Sequence, residues 1–329
     1  MTTINKIKKF GTNTYQLLAA AGKGFSEDRV MKLSAALAYY TLFSLTPLLL
    51  IILSVTSILY KEEALEGKLF GEINEFVGAE AAAQIQGFVN NANLSGKSSI
   101  GLIIGIVTLI MGATAIFIEI QDSINMIWKV KAVPKKGWKK LITNRLLSFS
   151  LIVSMGFLLL VSLVINSIVL SFGDKIQRFL HRYIPEIDST TTFIVMLVNN
   201  VLTFAVVTTI FAIIFKVLPD VVLRWKSALV GAGFTALLFG LGKWAIGIYL
   251  EKSNPGLAFG AAGSIIVILT WIYYTAVILY FGAEFTQAFA EKFDEGIKPT
   301  KYAVHLKTVI IEKEVSELPP QHPEETTES

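Results

Sequence analysis

The 329-residue chain contains no cysteine and only three histidines. Without thiols it can build no disulfide framework, no thiolate nucleophile and no cysteine-ligated cluster, and three scattered histidines are too few soft ligands for a zinc finger. Charge is scarce as well: 16% of residues are charged, against roughly 25% in an average soluble domain. With 53% hydrophobic residues and a mean hydropathy of +0.60, the composition argues against a soluble enzyme. The net charge of +4 and a pI near 9.0 would suit nucleic acid, but cytoplasmic loops of a membrane protein produce the same excess.

What is present is long apolar sequence. A helix needs about 20 mostly apolar residues to cross the roughly 30 Å hydrocarbon core, and six segments qualify. Residues Leu33 to Tyr60, Ile100 to Ile118, Leu146 to Gly173, Ser189 to Phe215 and Leu257 to Ala283 carry no charged side chain, and Ser227 to Leu250 carries only Lys243. None shows the alternation of a membrane barrel strand. The predicted fold is all-α: a polytopic bundle of six transmembrane helices plus interfacial amphipathic helices. Its membrane domain covers residues 33–285, with spans at about 33–60, 100–128, 146–173, 189–215, 227–250 and 257–284.

Basic residues stay on the cytoplasmic side, and their distribution gives a consistent direction. Six precede the first span, the Lys129 to Arg145 loop has seven and no acid, and the Lys216 to Lys226 loop has three against Asp220. The Lys61 to Ser99 loop instead carries three lysines and six glutamates, and Asp174 to Asp188 balances three against three. Both termini are predicted in the cytoplasm, so topology accounts for the basic balance without nucleic acid.

Residues 1–32 place Ile4, Ile7, Tyr15, Leu17, Leu18, Phe25 and Val30 among lysines, the pattern of an uncleaved amphipathic helix lying in the headgroup layer. Residues 286–329 are predicted as a cytoplasmic, largely disordered tail, given the proline and glutamate of its end. In the first outer loop Leu65, Leu69, Ile73, Phe76 and Val77 form a helical stripe, read as an interfacial helix.

Polar groups inside spans are the functional pointers, because lipid cannot satisfy them. In the first span Tyr39, Tyr40, Thr41, Ser44 and Thr46 precede Pro47, whose missing amide hydrogen favours a kink. This hydroxyl-rich stretch either lines a pathway or bonds back to its own carbonyls. Glu119, Asp122 and Asn125 follow at successive i, i+3 positions, predicting one acidic face at the inner end of the second span. Lys216, Asp220 and Arg224 of the next inner turn, with Glu284 at the end of the last span, are expected to join it in one charged cluster at the cytoplasmic mouth. Ala228, Ala232, Ala236 and Gly240 repeat every fourth residue, a spacing that lets helices approach closely.

Four segments together carry a family resemblance: ALAYYTLFSLTPLLL (36–50), IQDSINMIWKV (120–130), KVLPDVVLRW (216–225) and FGAAGSIIVILTWIYYTAVILYFGAEF (259–285). Over roughly residues 25 to 290 the chain resembles the YihY/BrkB family of bacterial inner-membrane proteins. The resemblance implies a six-span inner-membrane fold and a virulence-factor-like association, and some members carry an older ribonuclease BN label. A nuclease of that type would need clustered histidines to position zinc. Here His181, His305 and His322 stand far apart, and a carboxylate-only Mg²⁺ site at Glu119, Asp122 and Glu284 has no further support.

The leading expectation is therefore a non-enzymatic membrane protein, without cofactor or metal, that moves a lipid or small amphiphilic solute. The alternative is a non-transporting scaffold or envelope assembly factor, with a second copy or envelope proteins as partners. Membrane lipids are partners in either case, and nucleic acid in neither.

Overall fold

The computed structural model describes residues 3–59, 83, 114–133, 188–253 and 263–307. Expectations for the first outer loop and for the third span at 146–173 lie outside the described residues, as does most of the second span. Helix α1 (Thr3–Glu27) is followed by α2 (Val30–Leu59), a helical segment over 114–127 (α3), and α4 (Asp188–Val217), α5 (Trp225–Ser253) and α6 (Gly263–Phe293). Within α4, α5 and α6, residues Asn200–Val217, Trp225–Tyr249 and Ile265–Phe293 are long and apolar enough to cross a membrane. Helix α2 continues through Pro47 for 30 residues, or about 45 Å at 1.5 Å per residue.

Helix α4 packs on α5, α5 on α6, and α6 on both α1 and α2. One apolar core joins Ile120, Ile124, Ile127 and Trp128 of the α3 region to Phe211, Phe215 and Leu218 near the end of α4, and to Leu279 and Tyr280 of α6. Among the four-residue repeat of small side chains, Ala228, Ala232 and Ala236 are buried, but Gly240 is exposed with open space around it. Close α5–α6 approach lies elsewhere, at Gly242 against the Tyr274 hydroxyl and in two Gly–Thr pairs that face each other. A Cβ on Gly231 would fall 1.8 Å from Thr286 Oγ1, and one on Gly282 would fall 1.9 Å from Thr235 Oγ1. Each threonine hydroxyl donates one turn back within its own helix, Thr235 to the Gly231 carbonyl at 2.7 Å and Thr286 to the Gly282 carbonyl at 2.6 Å. The polar hydroxyls are thereby satisfied while their side chains fill the space that the opposing glycines leave.

The amphipathic N-terminal helix does not lie across α6 as a surface helix would. It runs antiparallel along the last turns of α6: Gly24 meets Glu284, Leu17 and Ala21 cluster with Phe285, and Lys292 Nζ donates to Gln16 Oε1 at 2.6 Å. Phe281, Phe285 and Phe289 recur every fourth residue on α6 and, with Phe234, offer α1 an aromatic surface. Leu17 and Ala21 of its apolar stripe are thus buried against α6, while Tyr15 and Leu18 of the same helix stay exposed. Amphipathicity specifies a face to be buried and says nothing of what buries it.

A correction concerns the boundary at 286. Helix α6 continues to Phe293 and is closed by Gly296, which takes φ +74° and donates its N–H to the Ala290 carbonyl at 3.1 Å, the left-handed stop that glycine permits. The chain then crosses the helix ends as a strap. Strand β1 (Val130–Ala132), directly after α3, pairs antiparallel with β4 (Ala303–His305), while β2 (Val221–Val222), between α4 and α5, pairs with β3 (Lys298–Pro299). Among the described residues, the otherwise helical fold therefore carries two short ribbons. They are long-range pairings between segments too short to announce themselves as strands.

Candidate functional site

The ends of α1, α3, α4 and α6 and the starts of α2 and α5 converge beneath this strap, and most of the described polar chemistry gathers there. The KVLPD turn after α4 buries Asp220. Asn125 Nδ2 donates to Asp220 Oδ2 at 2.9 Å, and the Asp220 N–H donates back to Asn125 Oδ1 at 2.9 Å. Gln121 Nε2 reaches the same carboxylate oxygen at 3.3 Å, and the Asp220 carbonyl accepts the Thr300 N–H of the strap at 3.1 Å. This polar lock ties α3, the α4–α5 turn and the strap together.

The acidic face expected at Glu119, Asp122 and Asn125 is divided. Asn125 is buried in the lock, Glu119 is half-buried and accepts from the Ser123 hydroxyl at 3.2 Å, and Asp122 is exposed. The reason is helical drift: each i, i+3 step turns the face by about 60°, so two steps separate Glu119 from Asn125 by about 120°. Residues four apart stay closer in angle, which is why Gln121 and Asn125 act together.

The single charged cluster separates as well. Arg224 pairs with Asp294 at 3.4 Å, and the buried Asp294 carboxylate also accepts from Ser227 in the first turn of α5, where a negative charge complements the helix dipole. Lys216 donates to the Leu223 carbonyl and sits 5.7 Å from the centre of the Trp225 ring. On the exposed strap, Lys298 lies 2.6 Å from Glu295 and holds that carboxyl below its usual range.

Glu284 occupies a different corner. It is 4% exposed, and a Cβ on Gly24 would fall 2.1 Å from its Oε2, so a side chain at position 24 would have to displace the Glu284 carboxylate. Asp28, Lys129 and Glu27 are its charged neighbours, and Asp28 forms an ion pair with Lys129. Beside it Trp128 Nε1 donates to the Ala283 carbonyl at 3.0 Å. Arg29 and Lys129, the residues after Asp28 and Trp128, both take left-handed backbone conformations (φ 53° and 54°), which cost non-glycine residues about 1 kcal/mol or more each. Three buried polar atoms among the described residues and outside this lock make no hydrogen bond: Glu284 Oε1, Tyr280 Oη one turn earlier on α6, and Thr208 Oγ1 of α4. Tyr280 lies beside Ser123 and Glu119. Among the described residues no group of three or more His, Asp or Glu is placed to hold a metal ion.

In α2 the hydroxyls turn back on their own helix, Thr41 to the Leu37 carbonyl and Ser44 to the Tyr40 carbonyl, each at 2.8 Å. Tyr39 and Tyr40 are exposed, their rings edge to face at 5.9 Å. These residues stand apart from the capped end. Sequence reasoning missed Gln121, Asp28, Lys129, Tyr280 and Asp294 as site residues; the i, i+4 relations of Gln121 to Asn125 and of Tyr280 to Glu284 were the available signals.

Replacing Gly24 by valine is expected to lever α1 off Glu284. Because the chain lacks cysteine, Ala21→Cys, at a buried α1 position, reports this as a maleimide-labelling rate. That rate should rise about tenfold for each ~1.4 kcal/mol of docking lost, and an unchanged rate would mean that Gly24 does not seat the helix.

Long apolar helices whose polar groups gather at one end define an integral membrane protein of the helical-bundle class. The chain belongs to the family described as Virulence factor BrkB, whose family model matches residues 21–305. That match ends on the last residue of β4, so all but the last two residues of the strap lie within it. A UPF0761 membrane protein of Tolumonas auensis is 28% identical over 267 residues, covering 80% of this chain and 82% of that one. Another, of Alcanivorax borkumensis, is 27% identical over 272 residues, 80% of this chain and 58% of that longer protein. A third, of Alteromonas mediterranea, is 25% identical over 298 residues, 88% and 95% of the two chains. No solved structure matches the chain.

Proposed function

We propose that this protein moves, or helps to move, a lipid or small amphiphilic solute across or within the bacterial inner membrane, with its capped end in the cytoplasm. The observation that carries the reading is the set of buried, unpartnered oxygens at Thr208, Tyr280 and Glu284, where other buried hydroxyls such as Ser34, Thr235 and Thr286 are hydrogen-bonded within their own helices. An unpaired buried polar group costs about 1–3 kcal/mol, and native proteins keep few of them. The donors and acceptors of a polar headgroup would satisfy them as the bundle opens, while the apolar part of the same molecule stays against lipid-facing helices. The described spans carry few ionisable side chains, which speaks against a strongly ion-coupled pump. No catalytic chemistry is assigned.

The test is reconstitution in liposomes with a panel of headgroup-labelled phospholipids and small amphiphiles. Movement should exceed that of protein-free vesicles, and Tyr280→Phe with Glu284→Gln should reduce it about tenfold, the equivalent of ~1.4 kcal/mol. No movement across the whole panel would overturn the transport reading in favour of the scaffold, for which the exposed strap offers a docking surface.

A further inference from the structure

The β1–β4 ribbon has two unlike faces. The register sets Lys131 opposite Val304 and Val130 opposite His305, and the ladder continues in both directions, with the Val133 N–H donating to the Tyr302 carbonyl and the Leu306 N–H to the Lys129 carbonyl, each at 2.7 Å. Directly opposed residues share a face, and faces alternate along each strand. Val130 therefore turns into the core, where it is buried. Lys131, Val133, Tyr302, Val304 and Leu306 form the other face, on which Val133 is 54%, Tyr302 49%, Val304 45% and Leu306 42% exposed. The second ribbon repeats the theme, setting exposed Val222 opposite Lys298.

Exposed valine, leucine and tyrosine on one face of a ribbon need a cover, and charge identifies it. Residues 129–133 and 298–307 contain Lys129, Lys131, Lys298, Lys301 and Lys307 and no acidic residue. Apolar side chains with a tyrosine, rimmed mainly by lysine with Glu295 paired to Lys298 at one end, suit the boundary between acyl chains and negatively charged headgroups: the apolar parts enter the boundary and the ammonium groups stay at headgroup level. Both ribbons also sit where membrane-spanning helices end, which is the depth of that boundary.

We propose that the outer faces of the β1–β4 and β2–β3 ribbons seat on the adjacent leaflet and bind anionic phospholipid headgroups through Lys131 on the β1–β4 face and Lys301 and Lys307 flanking it. The strap then fastens the capped end of the bundle to the membrane surface as well as to itself. This rests on the membrane-spanning reading but not on transport.

The absence of native cysteine permits single reporters in the full-length chain. Val304→Cys and Val133→Cys on the outer face, and His305→Cys on the other, each carry an environment-sensitive fluorophore in vesicles of phosphatidylcholine alone or with phosphatidylglycerol. The outer-face reporters should shift to shorter wavelength and be quenched by lipid-borne nitroxide only when phosphatidylglycerol is present. The reporter at 305 should remain open to aqueous iodide in both. Lys131→Gln, Lys301→Gln and Lys307→Gln should each weaken seating about fivefold, and added salt should release it. Equal emission at 304 and 305 in both vesicles would overturn the proposal. So would shielding of 304 in both without lipid quenching, since protein rather than lipid would then cover the face. Co-flotation of the chain with vesicles and movement of labelled lipid are read separately, so failed seating is distinguishable from failure of the membrane or transport readings.

Discussion

Gly282→Ala should destabilise the bundle, although helix propensity alone predicts the opposite. Alanine is favoured over glycine by about 1 kcal/mol in a helix interior, but a Cβ at 282 would fall 1.9 Å from Thr235 Oγ1, whose hydroxyl is bonded to the Gly231 carbonyl. The threonine cannot yield without breaking that bond or spreading α5 from α6. Overpacking of this kind costs about 1–3 kcal/mol, so the clash wins, and Gly282→Leu should exceed Gly282→Ala. Two companions isolate the cause. Gly240→Ala, which meets open space, should be neutral or slightly stabilising, and Thr235→Ala combined with Gly282→Ala should recover most of the loss. Unfolding free energies from denaturant titration in mixed micelles measure all of these. A Gly282→Ala protein as stable as the parent would show that the seam is looser than its geometry.

Asn125→Ala should have a comparably large effect, for a polar reason. The substitution removes one donor to the buried Asp220 carboxylate and the acceptor of the Asp220 N–H. Leaving such groups short of partners costs about 3 kcal/mol where one is charged. The lock holds three segments, so the loss should appear at a distance. A cysteine reporter at Val222 in the α4–α5 turn should become more mobile, and limited proteolysis should cut the strap between Asp294 and Leu306 sooner. Asn125→Asp, nearly the same in shape, should be worse than alanine because it sets a second carboxylate against the first. Asp122→Ala, at the exposed member of the same sequence triplet, should change neither readout. If Asn125→Ala left the strap as resistant as before, the lock would be incidental to the capped end.

Both experiments act on features of unequal visibility in the sequence. The apolar runs of α4, α5 and α6 were legible because membrane length and composition are local properties, and the observed helices extend the expected spans by only a few residues at most ends. Asp220, Asn125 and Glu284 were also legible, because polar residues stand out against such runs. Their partners were not. Whether Asp220 meets Arg224, four residues away, or Asn125, 95 residues away, depends on where α3 docks, and no spacing records that. Gly282 looked like one glycine among many until Thr235 was opposite it. The apolar face of α1 was evident in its pattern, but lipid and the phenylalanines of α6 are equivalent covers for it.

The sequence by itself determined that this is a helical membrane protein, because hydrocarbon thickness and the cost of burying charge act on each segment in turn. Only the tertiary structure decided that its polar residues divide among a lock, a capped α5 and a buried Glu284 corner, and that residues 294–307 form a strap instead of a tail. Those outcomes depend on contacts between distant segments, where a hydrogen bond gains its value from the low-dielectric surroundings that packing creates.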